Sequence, residues 1–397
     1  MLFSGPLLKS CLSKVLTGLA KALLVAGFAC SAGAASAETL QTRAPSAFLF
    51  EPESGTILFA KNADKPFQPG SLSKVMTAAV VFKAISEGEV FTTTECKVSE
   101  HAWRTGGAPS RGATMFAAIK SDIAVMDLLK GMIIQNGNDA AIILAECLDG
   151  SEAAFAKRMT EVAGEIGMKN SRFTSPAGFE DTKAQTTVRD MVLLADYILK
   201  KHVGFYPLYS EPDFTWSKIF QRNKNPLFGE IRQLDGLGAG TSKADGLAGL
   251  ASVNRDDRRV IGAVSGLSND KSRLAAIKEV IEGAWDFYGL SRLYDAGDII
   301  AEARVFGGEA ASVPLVATDP VSVLLPRGTT LDYRLRVVYS GPIPAPVEKG
   351  VQVGELRVIG ADGIVYRAPL ETGAAVPQGS LTDRASGALY ELLFGWF

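Results

Sequence analysis

Residues 69–74 read PGSLSK and run directly into VMTAAVVFKAI (75–85). The second stretch is apolar at helical spacing, which predicts a helix beginning near Ser71. A serine in that place ordinarily serves as an N-cap, its hydroxyl accepting a hydrogen bond from an orphan backbone N–H. Lys74, three residues on, shares a helix face with Ser71. That spacing sets an amine about one turn from a hydroxyl, the geometry a lysine base needs to activate a serine nucleophile. Cap and nucleophile are both open, and the rest of the chain has to choose.

The chain has 397 residues, room for two or three domains. Its 41 Lys+Arg against 43 Asp+Glu leave no basic excess, so a nucleic-acid partner has no electrostatic support. The N-terminus, MLFSGPLLKSCLSKVLTGLAK, holds Lys9, Lys14 and Lys21 and no acid; ALLVAGFAC and then SAGAASA follow, before Glu38. A positive flank, a short apolar core and an Ala35-Ser36-Ala37 pattern predict a secretory signal peptide over 1–37. The core is short for a membrane span. Removal of the leader leaves Cys96 and Cys147. An oxidising compartment permits a bridge between them, but two cysteines make no framework, and a buried free thiol is the expectation for Cys147 in AIILAECL.

AFLFEPESGTILFAKNAD (47–64) places two apolar runs around PESG, a hairpin pattern. Residues 90–120, with RTGGAPSRGATMF in their middle, read as a surface loop. Helical periodicity dominates from Ser121 to His202, and strands return with DFTWSKI, ADGLAGLASVN and RRVIGAVSGL ahead of a last helix, RLAAIKEVIEGAWDFYG. Strands from both ends of this region around a helical middle predict an α+β domain with one antiparallel sheet, over 38–289. Beyond Gly289 short alternating runs broken by Pro and Gly predict a small all-β domain over 290–376. The tail, 377–397, sets Leu381, Ala385, Ala388, Leu389, Leu392, Leu393 and Trp396 on one helical stripe. This amphipathic helix is expected to lie on a membrane surface through apolar burial, since Arg384 faces Asp383 and Glu391 and gives anionic lipid nothing to attract.

A serine needs a base, and the histidines, His101 and His202, sit in no triad pattern. Lysine serves when burial lowers its pKa. Ser-x-x-Lys alone is a weak signal. However, PGSLSKVMTA, HAWRTGGAPS, DLLKGMIIQNGNDAAIILAE, FTSPAGFEDTKAQTTVRDMVLLA, FTWSKIFQRNKNPLF and LDGLGAGTSKADGLAGLAS occur in the order seen in low-molecular-mass penicillin-binding proteins. The whole mature chain resembles these serine-type D-alanyl-D-alanine carboxypeptidases. The resemblance implies a β-lactamase-like serine DD-peptidase domain, the all-β domain and the tail. It further implies removal of the terminal D-alanine from peptidoglycan stem peptides through an acyl-enzyme on Ser71, with Lys74 as general base. Asn136 and Asn138 would complete the catalytic set, and Gly238, Ala239, Gly240 and Thr241 would bind substrate. Backbone N–H groups of Ser71 and Thr241 would form the oxyanion hole, β-lactams would be covalent inhibitors, and the location would be the periplasm, on the outer face of the inner membrane. No cofactor and no metal are implied.

Two positions depart from the family. Its Ser-x-Asn motif is here Asn136-Gly137-Asn138, and its Lys-Thr-Gly motif is Gly238-Ala239-Gly240. An amide hydrogen-bonds but does not relay a proton at neutral pH, and glycine has no ammonium for a carboxylate. A positioned proton shuttle is worth about 10²–10⁴-fold. A charge-assisted hydrogen bond is worth roughly 1.5–3 kcal/mol. Strand alternation puts Lys243 on the opposite face from position 238. Weakened activity is therefore expected, with a peptidoglycan-binding pseudoenzyme as the alternative; a β-lactamase lacks any identifiable deacylating base. Trp103, Arg104, Gly106 and Gly107 are expected to shape a loop near the groove.

Overall fold

Residues 46–61 form the predicted hairpin, β1 (Ser46–Glu51) and β2 (Thr56–Lys61), turning through Pro52–Gly55. A computed structural model of the chain describes residues 40–256, 258–327, 333–360, 363–382 and 384–385. The leader, 1–37, lies outside them.

After the hairpin comes α1 (Ser73–Ser86), then the short strand β3 (Glu95–Lys97), α2 (Glu100–Thr105) and β4 (Asp122–Ala124). Four helices follow: α3 (Val125–Ile133), α4 (Asn138–Asp149), α5 (Glu152–Ile166) and α6 (Val188–Lys201). A second hairpin, β5 (Asp213–Trp216) with β6 (Ile219–Arg222), precedes β7 (Leu234–Ser242), β8 (Gly246–Arg255), β9 (Arg258–Leu267) and α7 (Asp270–Asp286). The main sheet has the order β2-β1-β9-β8-β7, every pairing antiparallel, so the two ends of the domain do build one sheet.

Both faces of that sheet are covered, which is why β8 and β9 read as almost continuous apolar runs. In β9, Val260 and Val264 face α7, where Ile277, Val280 and Ile281 are fully buried. Ile261 and Ala263 face the helical cluster. Helix α1 runs through that cluster with Val75–Phe82 all buried. A helix enclosed on every side needs no polar stripe, and VMTAAVVF has none.

Residues 90–120 are not simply a loop. They hold β3, paired with β4, and α2, capped by Ser99, whose hydroxyl accepts from the Ala102 N–H at 2.9 Å. Elements of three and six residues are too short to show a period. Cys96 in β3 is bonded to Cys147 in α4, correcting the expectation of a free thiol. The link crosses 51 residues of sequence and ties the β3–β4 hairpin to the helix that starts at the Asn136–Asn138 turn.

From Tyr288 to Thr372 the regular elements are all β: β10 (Tyr288–Tyr294), β11 (Ile299–Phe306), β12 (Ser312–Val316), β13 (Val321–Pro326), β14 (Arg334–Tyr339), β15 (Ile343–Pro344), β16 (Gln352–Gly360) and β17 (Gly363–Thr372). Six of these form a sheet of order β14-β16-β17-β12-β11-β15, and β10 pairs with β13. Val313, Leu315, Val323, Leu356, Val358 and Leu370 fill its core. Tyr288 anchors this region to the first, its ring in the core beneath α7 and its hydroxyl donating to the Leu58 carbonyl of β2. Among the described residues no helix is long and apolar enough to cross a membrane. Of the tail stripe, Leu381 and Ala385 are exposed, and Ala388, Leu389, Leu392, Leu393 and Trp396 lie outside the described residues.

A crosslink closing a loop of this length stabilises the fold by about 4 kcal/mol in the chain-entropy limit. Reduction, or Cys147→Ser, is expected to lower the Tm by several degrees in a thermal melt; an unchanged Tm would show that the bridge does not form.

Candidate active site

Ser71 caps nothing. Gly70–Leu72 form one turn of 3₁₀ helix that leads straight into α1, and neither the turn nor α1 has a side-chain cap. Among the described residues the Ser71 hydroxyl has no hydrogen-bond partner. Its turn is held by backbone packing. Gly70 adopts φ +52°, and a Cβ on it would stand 2.3 Å from the Thr241 carbonyl oxygen. A Cβ on Gly240 would stand 2.2 Å from the Pro69 carbonyl oxygen. The Ser71 turn and β7 therefore touch backbone to backbone, and only glycine permits the approach.

Lys74 sits one turn below Ser71 and is 5% exposed. Its Nζ donates to the Ala177 carbonyl at 2.8 Å. Loss of water around the amine pulls its pKa down to about 7, against the opposing pull of the Asp139 carboxylate. A neutral amine still donates that hydrogen bond and keeps a lone pair for the serine proton. The Ala177 carbonyl belongs to FTSPAGFE (173–180), which clasps α1 a second time where the Thr77 hydroxyl donates to the Pro176 carbonyl at 2.8 Å.

Asn136 lies at φ +60°, a left-handed conformation that asparagine adopts more readily than most residues. Two residues on, Asn138 opens α4, and its N–H donates to the Ala113 carbonyl at 2.8 Å. Asp139 is fully buried beneath this turn. Its carboxylate accepts from the Thr114 hydroxyl at 2.6 Å and from the N–H groups of Met115 and Ala117 at 2.9 and 3.1 Å. It braces the 114–117 segment against α4 and supplies the negative charge nearest Lys74. Gly106 packs on the same turn, since a Cβ there would stand 2.5 Å from the Asp139 nitrogen. The 103–107 segment thus supports the turn from behind.

An open cleft is lined by Ser71, Lys74, Asn136, Gly238 and Ala239, together with Tyr209, Lys224 and Asn225. The structure thus brings together five of the eight expected site residues. Asn138, Gly240 and Thr241 do not line the cleft. Asn138 faces Gly112, Gly240 packs on Pro69 and Leu72, and the Thr241 backbone stands against Gly70. The close approach expected of substrate at Gly240 is made by the protein itself. His101 pairs with Glu152 at 2.8 Å and His202 contacts Ser86 and Tyr197; neither lines the cleft. Lys243 is 89% exposed beside Glu180 and lies outside it as well.

Lys224 and Asn225 were not evident in the sequence. They belong to FQRNKNPLF, where the flanking asparagines hold the chain. The Asn223 amide donates to the Glu211 carbonyl at 2.9 Å, and its oxygen accepts from the Asn225 N–H at 2.9 Å. The Asn225 oxygen accepts from the Leu227 N–H at 3.1 Å. Asparagine bonding to backbone two residues on is turn chemistry. The Asn-Lys-Asn-Pro pattern was the available signal.

The sequence profile described as D-alanyl-D-alanine carboxypeptidase matches residues 32–269. That of the C-terminal domain of penicillin-binding protein 5 matches residues 288–378. The chain is 30% identical over 332 residues to D-alanyl-D-alanine carboxypeptidase DacF of Bacillus subtilis, covering 82% of this chain and 84% of that one. It is 30% identical over 352 residues to DacC of Escherichia coli, covering 88% of each. Among solved structures, penicillin binding protein 5 of Haemophilus influenzae matches with a TM-score of 0.72 at 30% identity, over 85% of this chain and 98% of that chain. Penicillin-binding protein D2 of Listeria monocytogenes, solved in its ampicillin-bound form, matches with a TM-score of 0.54 at 28% identity, over 63% and 100%.

Two glycines on one strand are expected to respond differently to alanine. At Gly240 the added Cβ meets a backbone carbonyl, so Gly240→Ala should cost about 1–3 kcal/mol. At Gly238 the nearest atom is Leu72 Cδ2 at 3.9 Å, so Gly238→Ala should leave stability unchanged. Denaturant midpoints of the two variants check this; equal losses would contradict the packing described.

Proposed function

The chain belongs to the serine-type D-alanyl-D-alanine carboxypeptidase family, and we propose that Ser71 is its nucleophile and Lys74 its general base. The observation that carries this reading is the burial of Lys74 beside a serine that caps nothing and has no competing partner. The Ser71 oxygen attacks the carbonyl carbon between the last two D-alanines of a stem peptide, and the hydroxyl proton passes to the Lys74 amine. Backbone N–H groups of Ser71 and Thr241 serve as donors to the developing oxyanion, a reading supported by the backbone contact that ties the Ser71 turn to Thr241. The C–N bond then breaks, D-alanine leaves with a proton on its nitrogen, and water hydrolyses the ester.

Asn136, on the cleft lining, takes the place from which the family's serine relays that proton, and its amide cannot relay one at neutral pH. The enzyme is accordingly slow at expelling the amine, while acylation by a β-lactam, whose strained amide breaks more readily, is spared. The ampicillin-bound relative supports penicillin as a covalent probe of this cleft. The leader directs the chain to the periplasm, where the Cys96–Cys147 bond is permitted. Residues 377–397 attach it to the membrane surface; removal of these residues should move the protein from the membrane fraction to the soluble one.

Fluorescent penicillin should label the wild type and not Ser71→Ala on a denaturing gel. The rate of labelling should rise with pH through about 7 and level off above it, because the protonated amine cannot accept the serine proton. An unlabelled wild type would leave a peptidoglycan-binding protein without turnover. Asn136→Ser should raise D-alanine release from a pentapeptide by up to about 10²-fold, as a restored proton shuttle would. No gain would place the slow step elsewhere.

A further inference from the structure

The cleft keeps a positive charge although the family's strand lysine is absent. Among the described residues its lining holds two lysines, Lys74 and Lys224, and no arginine. Lys74 is buried and committed to Ala177. Lys224 is exposed, and among the described residues its amine makes no ion pair or hydrogen bond. Its backbone is fixed, the N–H donating to the Ile134 carbonyl at 2.8 Å, which joins it to the segment carrying Asn136. Beside it, two donors on the same lining have no partner: the side-chain Nδ2 of Asn225 and the hydroxyl of Tyr209. Tyr209 is 3% exposed, and burial pushes its phenol pKa upward, so it remains a protonated donor. Buried polar groups without partners are rare and call for a ligand or water.

The geometry points to Lys224, with Asn225 and Tyr209, as the carboxylate-binding side of the cleft, taking the free C-terminal carboxylate of the substrate in place of a lysine at position 238. A carboxylate accepts and does not donate, and these three groups offer donors, one of them charged. Gly238 faces the same space from β7, with no atom nearer than 3.9 Å to a Cβ placed there. The strand therefore does not require glycine at 238. The charge on the lining comes from the Asn-Lys-Asn turn and not from β7. This assignment rests on the carboxypeptidase reading for the identity of the anion, and its test separates the two.

The probes are a pentapeptide ending in D-Ala-D-Ala and the same peptide with a C-terminal amide. In a Ser71→Ala background, where nothing is turned over, calorimetry should show the free acid bound more tightly than the amide. Adding Lys224→Ala should weaken the acid by about tenfold to a hundredfold, the loss of one charge-assisted hydrogen bond, and leave the amide nearly unchanged. Lys224→Arg should keep the preference, and Gly238→Lys should restore it to the Lys224→Ala protein. With Ser71 intact, the same losses should fall on kcat/KM for D-alanine release, with the Tm of each variant unchanged. A wild type that forms no acyl-enzyme defeats the nucleophile reading but not this one, because the binding arm stands alone. Equal treatment of acid and amide in that arm, or no effect of Lys224→Ala on their ratio, overturns it.

Discussion

The site depends on enclosing one amine. Lys74 projects from a helix buried from Ser73 through Phe82, and its Nζ is held by a single neutral carbonyl, that of Ala177. A cation so placed lacks the hydration that favours its charged form, and the buried carboxylate of Asp139 compensates only in part. The neutral amine is the species that can take a proton from Ser71. Much of the surrounding structure serves this enclosure. The buried run Val75–Phe82 of α1 provides the dry core, the 173–180 segment closes over it, and the disulfide secures the far end of the helix that carries Asp139.

Above the amine, the Ser71 turn is positioned by backbone contact rather than by side-chain packing. The turn with Ser71, the loop with Gly178 and strand β7 meet through glycines at distances that exclude a Cβ. Such contact leaves little freedom for the serine N–H or for the Thr241 backbone, which is what preorganised oxyanion donors require. The cleft walls are made differently. They carry the chain's own variations, asparagine at 136 in a left-handed turn and glycine at 238 on an open strand face.

Most of the architecture was legible in the sequence because its signals are local. The hairpin at 46–61, the buried α1, the helices of the middle region and the paired strands at both ends follow from period and turn residues. What was not legible depends on distant partners. Cys96 and Cys147 carry no spacing that announces a bond, and the three-residue strand that presents Cys96 has no period. Ser71 and Lys74 were visible as a pair, but the carbonyl that holds the amine lies 103 residues away. Lys224 was hidden for the same reason: Asn-Lys-Asn-Pro predicts a turn, and nothing in it reveals that the turn faces Ser71. Gly240 was visible as a glycine, but its backbone contact with Pro69, 171 residues away in sequence, was not.

Titration of the Lys74 side chain by NMR, in protein carrying isotope label in lysine, tests the central claim most directly. A midpoint near 7 for a single lysine resonance, missing from Lys74→Arg protein, is the result that burial predicts. A midpoint at the ordinary lysine value, about 10, would mean that the amine stays charged at neutral pH, and Ser71 would have no base.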